Sequence, residues 1–228
     1  MEEKIIVIIP AYNEEKSIGL VVSNIPHIVD EIIVVDNNST DNTSIVAKAA
    51  GATVLFQPLS GYGNACLKGI EYVIKMQGIP YIVVFLDGDY SDYPEQLPLL
   101  IKPIIEENYD MVIGSRHLGN KEKGSMTPQQ IWGNKLATAL LRWLYKVKYT
   151  DLGPFRAIKY ESLIKLNMVD KNYGWTVEMQ LKAAKQKMKC CEVAVNYRNR
   201  IGVSKVSGTL NGTISAGYKI LLTIFKYL

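Results

Sequence analysis

Cysteine is scarce in this chain. The three present are Cys66, Cys190 and Cys191. An odd count with two neighbours frames no disulfide scaffold and repeats no metal-ligand spacing, which points to a reducing compartment. Histidine is scarcer, with only His27 and His117, and neither has a partner pattern. Long apolar runs are missing too. No stretch approaches the ~20 apolar residues that cross a bilayer. The opening MEEKIIVIIP starts acidic and its apolar run stops at Pro10, unlike a secretory signal. A dense basic block is also absent. Lys and Arg number 26 against 22 Asp and Glu, a net charge of +4. That excess is no nucleic-acid signature, but it suits an anionic ligand or an acidic membrane surface. The sequence has no internal repeat, low-complexity tract or linker. Hydrophobic residues at 48% and charged residues at 21% exclude disorder, collagen and a coiled coil. The 228 residues are enough for one large domain with a sizeable core.

The first half alternates short apolar runs with helix-like segments. Runs at 4–9, 31–35, 52–56, 81–86 and 110–113 read as strands. Segments at 15–25, 43–50, 64–76 and 94–107 read as helices, the last interrupted by Pro98 and Pro103. Runs apolar on both faces and separated by helices indicate a mostly parallel central sheet covered by helices on both faces, an α/β fold of the doubly wound kind. Ligands of such sheets sit beyond the carboxyl ends of the strands. In the second half, 114–127 reads as a mobile loop. Helices are expected at 129–145, 175–187 and 209–228, a loop or short strand at 151–157, and a strand at 189–195, with Cys190 and Cys191 on opposite faces. The chain reads as one domain, with a strand-end binding half at 1–114 and an irregular half at 115–228.

The strand ends hold the polar residues. Asp87-Gly88-Asp89 follows an apolar run, so two like charges fall where burial is expensive. A divalent cation would offset them, and oxygen-only ligands favour Mg2+ or Mn2+; a solvated turn is the plain alternative. Gly88 is expected to let the backbone turn or approach a ligand. The other strand ends read Pro10-Ala11-Tyr12-Asn13-Glu14-Glu15 and Asp36-Asn37-Asn38-Ser39-Thr40-Asp41. In this order and spacing, the three motifs resemble those of the inverting family-2 glycosyltransferases with the GT-A fold. Within that family the chain is most similar to the branch of dolichyl- and polyprenyl-phosphate hexose synthases, and the resemblance covers roughly all of it.

The resemblance implies a donor site for a UDP- or GDP-hexose. Pro10, Tyr12 and Glu14 would line the nucleoside pocket, and Asp36 would contact the base. The family often has D-D-G-S where this chain has Asp36-Asn37-Asn38-Ser39; Ser39 and Asp41 also fit a helix-capping turn. Gly61-Tyr62-Gly63 matches a G-x-G loop whose middle residue is often Lys, and Gly63 would help its amides meet an anion. Asp89 and Asp87 would hold the metal, with Ser91 or Asp92 where the branch often has Gln. Arg116, in Gly114-Ser115-Arg116, offers a planar fork to phosphate.

On the acceptor side, Asp151 begins a segment resembling D-x-x-x-G-F-R-A and would contact sugar or acceptor. Arg156 in that segment is either functional or structural. Glu178 would act as base toward an alcohol acceptor, or orient the donor sugar if the acceptor is a phosphate; it also suits the first turn of a helix. The basic loop 197–205 resembles R-x-G-x-S-K. Arg200 and Lys205, with Arg198 third, would stabilise the leaving diphosphate. Asp89, Glu178 and Asp151 are thus the candidate catalytic residues.

The branch implies a prenyl-phosphate acceptor. Its members often carry membrane helices after the catalytic domain, whereas here the last segment bears Ile214, Tyr218, Leu221, Leu222 and Phe225 and is too interrupted to span. A soluble alcohol or phosphate acceptor stays open. So do peripheral contact at the inner face of a membrane, otherwise cytoplasmic placement, and a homo-oligomer. A sugar nucleotidyltransferase is disfavoured, because no Gly-rich basic loop follows the first strand. A non-catalytic binding protein is disfavoured by the intact carboxylates.

Overall fold

The computed structural model describes residues 4–78, 80–202 and 210–227, the last stretch with side chains from residue 215 onward. Lys205 and the side chain of Ile214 lie outside the described residues. In chain order the elements are β1 (Ile5–Ala11), α1 (Ile18–Ser23), β2 (Glu31–Asp36), α2 (Thr43–Ala49), β3 (Thr53–Phe56), α3 (Tyr62–Lys75), β4 (Ile82–Phe85) and α4 (Leu97–Glu107). They continue with β5 (Met111–Ser115), α5 (Pro128–Tyr145), β6 (Arg156–Lys159), α6 (Tyr160–Leu166), α7 (Trp175–Lys185), β7 (Cys190–Ala194) and α8 (Leu210–Lys226).

The seven strands form one sheet in the order β3-β2-β1-β4-β6-β5-β7. Only β6 is antiparallel to its neighbours. It comes from the second half of the chain yet lies between β4 and β5, so the halves 1–114 and 115–228 share one sheet.

Strand periodicity divides the core. Ile6, Ile8, Val83, Phe85, Met111 and Ile113 face α3, α5, α6, α7 and α8. Ile5, Val7, Ile9, Ile82, Val84 and Val112 face α1, α2 and α4. Alternate residues of a strand point to opposite faces, so uniformly apolar strands bury both. Cys190 and Cys191 pack on opposite faces accordingly.

Three segments differ from the sequence expectation. Helix α1 starts at Ile18 rather than near residue 15. The stretch before it is tied to the next strand end instead, with the Glu14 amide donating to Thr43 Oγ1 and the Thr40 amide to Asn13 Oδ1. Helix α6 is an addition, too short to show a period. The 114–127 loop is anchored: the Tyr197 amide donates to the Asn120 carbonyl and the Glu122 amide to the Tyr197 carbonyl.

Strand order reverses at β1, with β2 on one side and β4 on the other. A crevice opens outside the carboxyl ends at such a point. The last two residues of β1, Pro10 and Ala11, with Tyr12–Glu14 after them, meet Asp87–Asp89 after β4 there.

Candidate active site

A cavity of about 570 Å³ occupies this crevice and extends between α5 and α8. Eight of the sequence-predicted site residues line it: Pro10, Tyr12, Glu14, Asp87, Gly88, Asp89, Arg116 and Arg200.

Asp87 and Asp89 form its acidic floor. The Tyr62 hydroxyl donates to Asp87 Oδ1 at 3.0 Å. The Ser91 amide donates to Asp89 Oδ1 at 2.9 Å, and Arg200 Nη2 lies 2.7 Å from Asp89 Oδ2. Burial pushes the Asp87 carboxyl up to about 7, reinforced by the neighbouring Asp89 charge and opposed by the Tyr62 hydrogen bond. Two crowded acids, one of them pushed up by burial, suit a hard divalent cation. Among the described residues no group of three His, Cys, Asp or Glu side chains is placed to hold a metal. Two carboxylates are a set that fits Mg2+, which completes its shell with water and substrate phosphate oxygens.

Gly88 is not required by its backbone. A Cβ there would meet Ile18 and Ala11 at ordinary contact distances, whereas the left-handed residue of this turn is Tyr90, with φ of 63°.

Two guanidinium groups face the acids. Arg200 approaches Glu14 Oε1 at 3.6 Å as well as Asp89. Arg116 is held from behind: its Nε and Nη2 each donate to Asp151 at 2.7 Å, and its amide donates to the same carboxylate at 2.9 Å. It also lies over the Tyr197 ring at 5.0 Å.

Four other predicted residues do not line the cavity. Asp151 is fully buried. Burial raises its carboxyl pKa, but the Arg116 charge and hydrogen bonds outweigh that and hold it below the usual carboxylate range. It positions Arg116 rather than meeting an acceptor. Glu178 points away into a separate recess on α7. Its carboxylate accepts from the Asp170 amide at 2.7 Å and the Tyr227 hydroxyl at 2.6 Å, and pairs with Lys182 at 2.8 Å. Its bonds go to α8, to the 167–170 turn and to Lys182 of its own helix, the opposite of a base poised at a reaction centre.

Asp36 turns back into its own loop and accepts from the Ser39 amide and the Ser44 hydroxyl. Its neighbour Asn37 reaches the cavity edge instead, bonding the Gln57 and Leu59 carbonyls and the Gly61 amide. Gly63 serves packing: a Cβ there would sit 2.0 Å from the Asp170 carbonyl oxygen.

Three lesser candidates are structural as well. Arg198 stacks on Tyr90 and Tyr93 at 3.5 and 4.0 Å. Arg156 is buried and donates to the Leu152, Gly153 and Thr176 carbonyls. Asp92 is buried, with neither carboxylate oxygen hydrogen-bonded among the described residues, and burial pushes its carboxyl well above the usual carboxylate range.

Sequence reasoning missed the Tyr62–Asp87 contact, treating Tyr62 only as a departure from Lys. It also missed Gln129, Gln130 and Asn134 on α5. Their signal was present, because three amides occur in the first two turns of a mostly apolar helix.

Residues 6–166 match Glycosyl transferase family 2. An uncharacterised glycosyltransferase of Mycobacterium tuberculosis is 33% identical over 219 residues, covering 94% of each chain. Glycosyltransferase AglJ of Haloferax volcanii is 30% identical over 203 residues, covering 87% of this chain and 64% of that protein. Among solved structures, glucosyl-3-phosphoglycerate synthase from Mycobacterium tuberculosis, in complex with Mn2+, UDP and glucosyl-3-phosphoglycerate, superposes with a TM-score of 0.78 at 24% identity, covering 99% of this chain and 80% of that one. The sheet order, the strand-end crevice and these likenesses agree on the GT-A fold, and the chain belongs to glycosyl transferase family 2.

Proposed function

We propose that the protein transfers a hexose, with inversion, from a nucleotide-diphospho-sugar to an anionic acceptor oxygen, a lipid phosphate of the prenyl-phosphate type. The observation that carries this reading is the set of acids in the cavity. Among the described residues only Glu14, Asp87 and Asp89 supply carboxylates there. Asp87 and Asp89 would hold Mg2+ or Mn2+, and Glu14 is engaged by Ser17 and Arg200. None remains as a base, and an acceptor that is already an anion needs none.

Bound at Asp87 and Asp89, the metal ion would neutralise charge on the donor diphosphate. Pro10 and Tyr12 flank the nucleoside end of the crevice. Arg116, fixed by Asp151, and Arg200 face the growing charge of the leaving nucleoside diphosphate. The acceptor phosphate oxygen forms a bond to the anomeric carbon from the opposite face. The bond to the diphosphate breaks with its electron pair, and the configuration inverts. UDP is the nucleotide of the structural neighbour named above, so UDP-sugars are the first donors to test.

Lipid character in the acceptor is supported by the exit between α5 and α8. Gly133 and Gly217 border it with open space at their Cβ positions, beside Met126, Ala216 and Ile220. The phosphoglyceric acid bound in the structural neighbour supports the second reading, transfer to a soluble acceptor. The test incubates labelled UDP- and GDP-hexoses and Mn2+ with polyprenyl phosphate or 3-phosphoglycerate. Mn2+-dependent label in the organic phase supports the lipid reading, and label in a water-soluble anion supports the second. Nucleoside diphosphate release with neither acceptor refutes both.

A further inference from the structure

We infer that the outer face of α5 and α8 is a docking surface for an anionic lipid bilayer. Helix α5 turns Trp132, Leu136 and Trp143 outward, at 76%, 48% and 74% exposure. Their spacing of four and seven residues places them on one stripe. Helix α8 does the same with Tyr218, Leu222 and Phe225, at 67%, 44% and 54%. The helices lie side by side, and the Tyr145 hydroxyl of α5 donates to the Ile224 carbonyl of α8 at 2.8 Å. Two large exposed stripes on adjoining helices make a patch that a soluble monomer seldom leaves uncovered.

Charge complementarity decides the occupant. Neither 128–148 nor 210–228 contains an Asp or Glu. Lys135, Arg142, Lys146 and Lys148 are exposed along and just beyond α5, and Lys226 is exposed on α8. Tryptophan and tyrosine flanked by cations suit the headgroup level of a bilayer carrying negative charge. A second copy of this face would bring those cations against one another. No helix among the described residues is long and apolar enough to cross a membrane, so the contact is a surface one. The cavity opens between the same two helices at Gln129, Gly133 and Gly217, and seating the patch would turn that mouth toward the lipid. This extends the lipid-acceptor reading of the function, and it is tested without any sugar or acceptor.

The probe is built in. The chain has three tryptophans, and Trp175 is buried at 1% exposure. An emission shift on adding lipid therefore reports Trp132 and Trp143. The full chain is mixed with vesicles of phosphatidylcholine alone or with about one-third phosphatidylglycerol, then pelleted and its emission recorded. Expected are a blue shift and co-sedimentation with the anionic vesicles, both weakened by salt. Trp132→Glu/Trp143→Glu and Lys135→Glu/Arg142→Glu should each reduce binding about tenfold or more, with the melting temperature unchanged. No shift and no pelleting of the folded wild type on anionic vesicles overturns the inference. So does a blue shift that follows protein concentration without lipid, since the face would then join two copies. Loss of transfer activity with vesicle binding intact would instead count against the acceptor reading alone.

Discussion

Replacing Asp151 by alanine separates its two roles, acceptor contact and support for Arg116. In the wild type the fully buried carboxylate receives three N–H groups from Arg116, at 2.7, 2.7 and 2.9 Å. The Arg116 side chain is only 11% exposed. Asp151→Ala leaves that guanidinium uncompensated in a place water scarcely reaches. Breaking a buried pair from one side costs about 3–5 kcal/mol. For a domain of this size, each kcal/mol lowers the melting temperature by ~2–4 °C, so the variant should melt about 6–20 °C lower. The Asp151 carboxyl lies below its ordinary pKa. Its contribution is therefore complete above the unfolded value and lost only as pH falls through the folded one, so melts at neutral pH read all of it. Adding Arg116→Met to Asp151→Ala should recover much of the loss, because the unpaired charge goes with it. Calorimetry of the four proteins closes the cycle. If Asp151→Ala melts within about 2 °C of wild type while turnover collapses, the carboxylate acts on substrate and the structural assignment is wrong.

Arg200→Ala should tighten Mn2+ binding by about two- to fivefold while weakening UDP binding, because it removes a partly exposed competitor for Asp89; isothermal titration checks both, and weaker Mn2+ binding refutes the competition. Glu178→Ala should lower the melting temperature through loss of its Lys182, Tyr227 and amide contacts, about 3–5 kcal/mol, and leave Mn2+-dependent UDP affinity unchanged. A large affinity loss in a folded variant would return Glu178 to the site. Mn2+ affinity should fall as pH drops below about 7, the value to which Asp87 is raised, because the cation binds only the deprotonated acid. By the same shift, the metal-free protein loses stability as pH rises from the ordinary carboxylate range through 7, so stabilisation by Mn2+ should grow over that interval. A pH-independent metal affinity would contradict the shift.

The parallel architecture was legible because its signal is local. Strands such as Ile5–Ala11 and Ile82–Phe85 are apolar at every position, a pattern that only a sheet covered on both faces requires. The lining of the strand-end crevice was legible for a related reason: residues at or just past a strand end are delivered to the crevice by the strand itself. Tyr12, Glu14, Asp87 and Asp89 follow their strands in this way, and Pro10 is the penultimate residue of its own.

The second half of the chain depends on contacts that no spacing reveals. Asp151 and Arg116 are 35 residues apart, and Tyr227 reaches Glu178 across 49. Each carboxylate looks available in the sequence and is consumed in the fold. Asp36 fails more narrowly. Its strand end was right, but a serine three residues on and another eight on claim its oxygens, which leaves Asn37 at the cavity edge. Gly63 was read as an anion loop, while the constraint it answers is the backbone of 170–172 packed against it.

Titration of UDP and of GDP into the wild type and Asp89→Asn, with Mn2+ and with a chelator, tests the central claim most directly. One nucleotide is expected to bind the wild type only with Mn2+. Asp89→Asn, with an unchanged far-ultraviolet spectrum, should lose about tenfold or more of that affinity. Equal binding by both proteins with the metal chelated would contradict the claim.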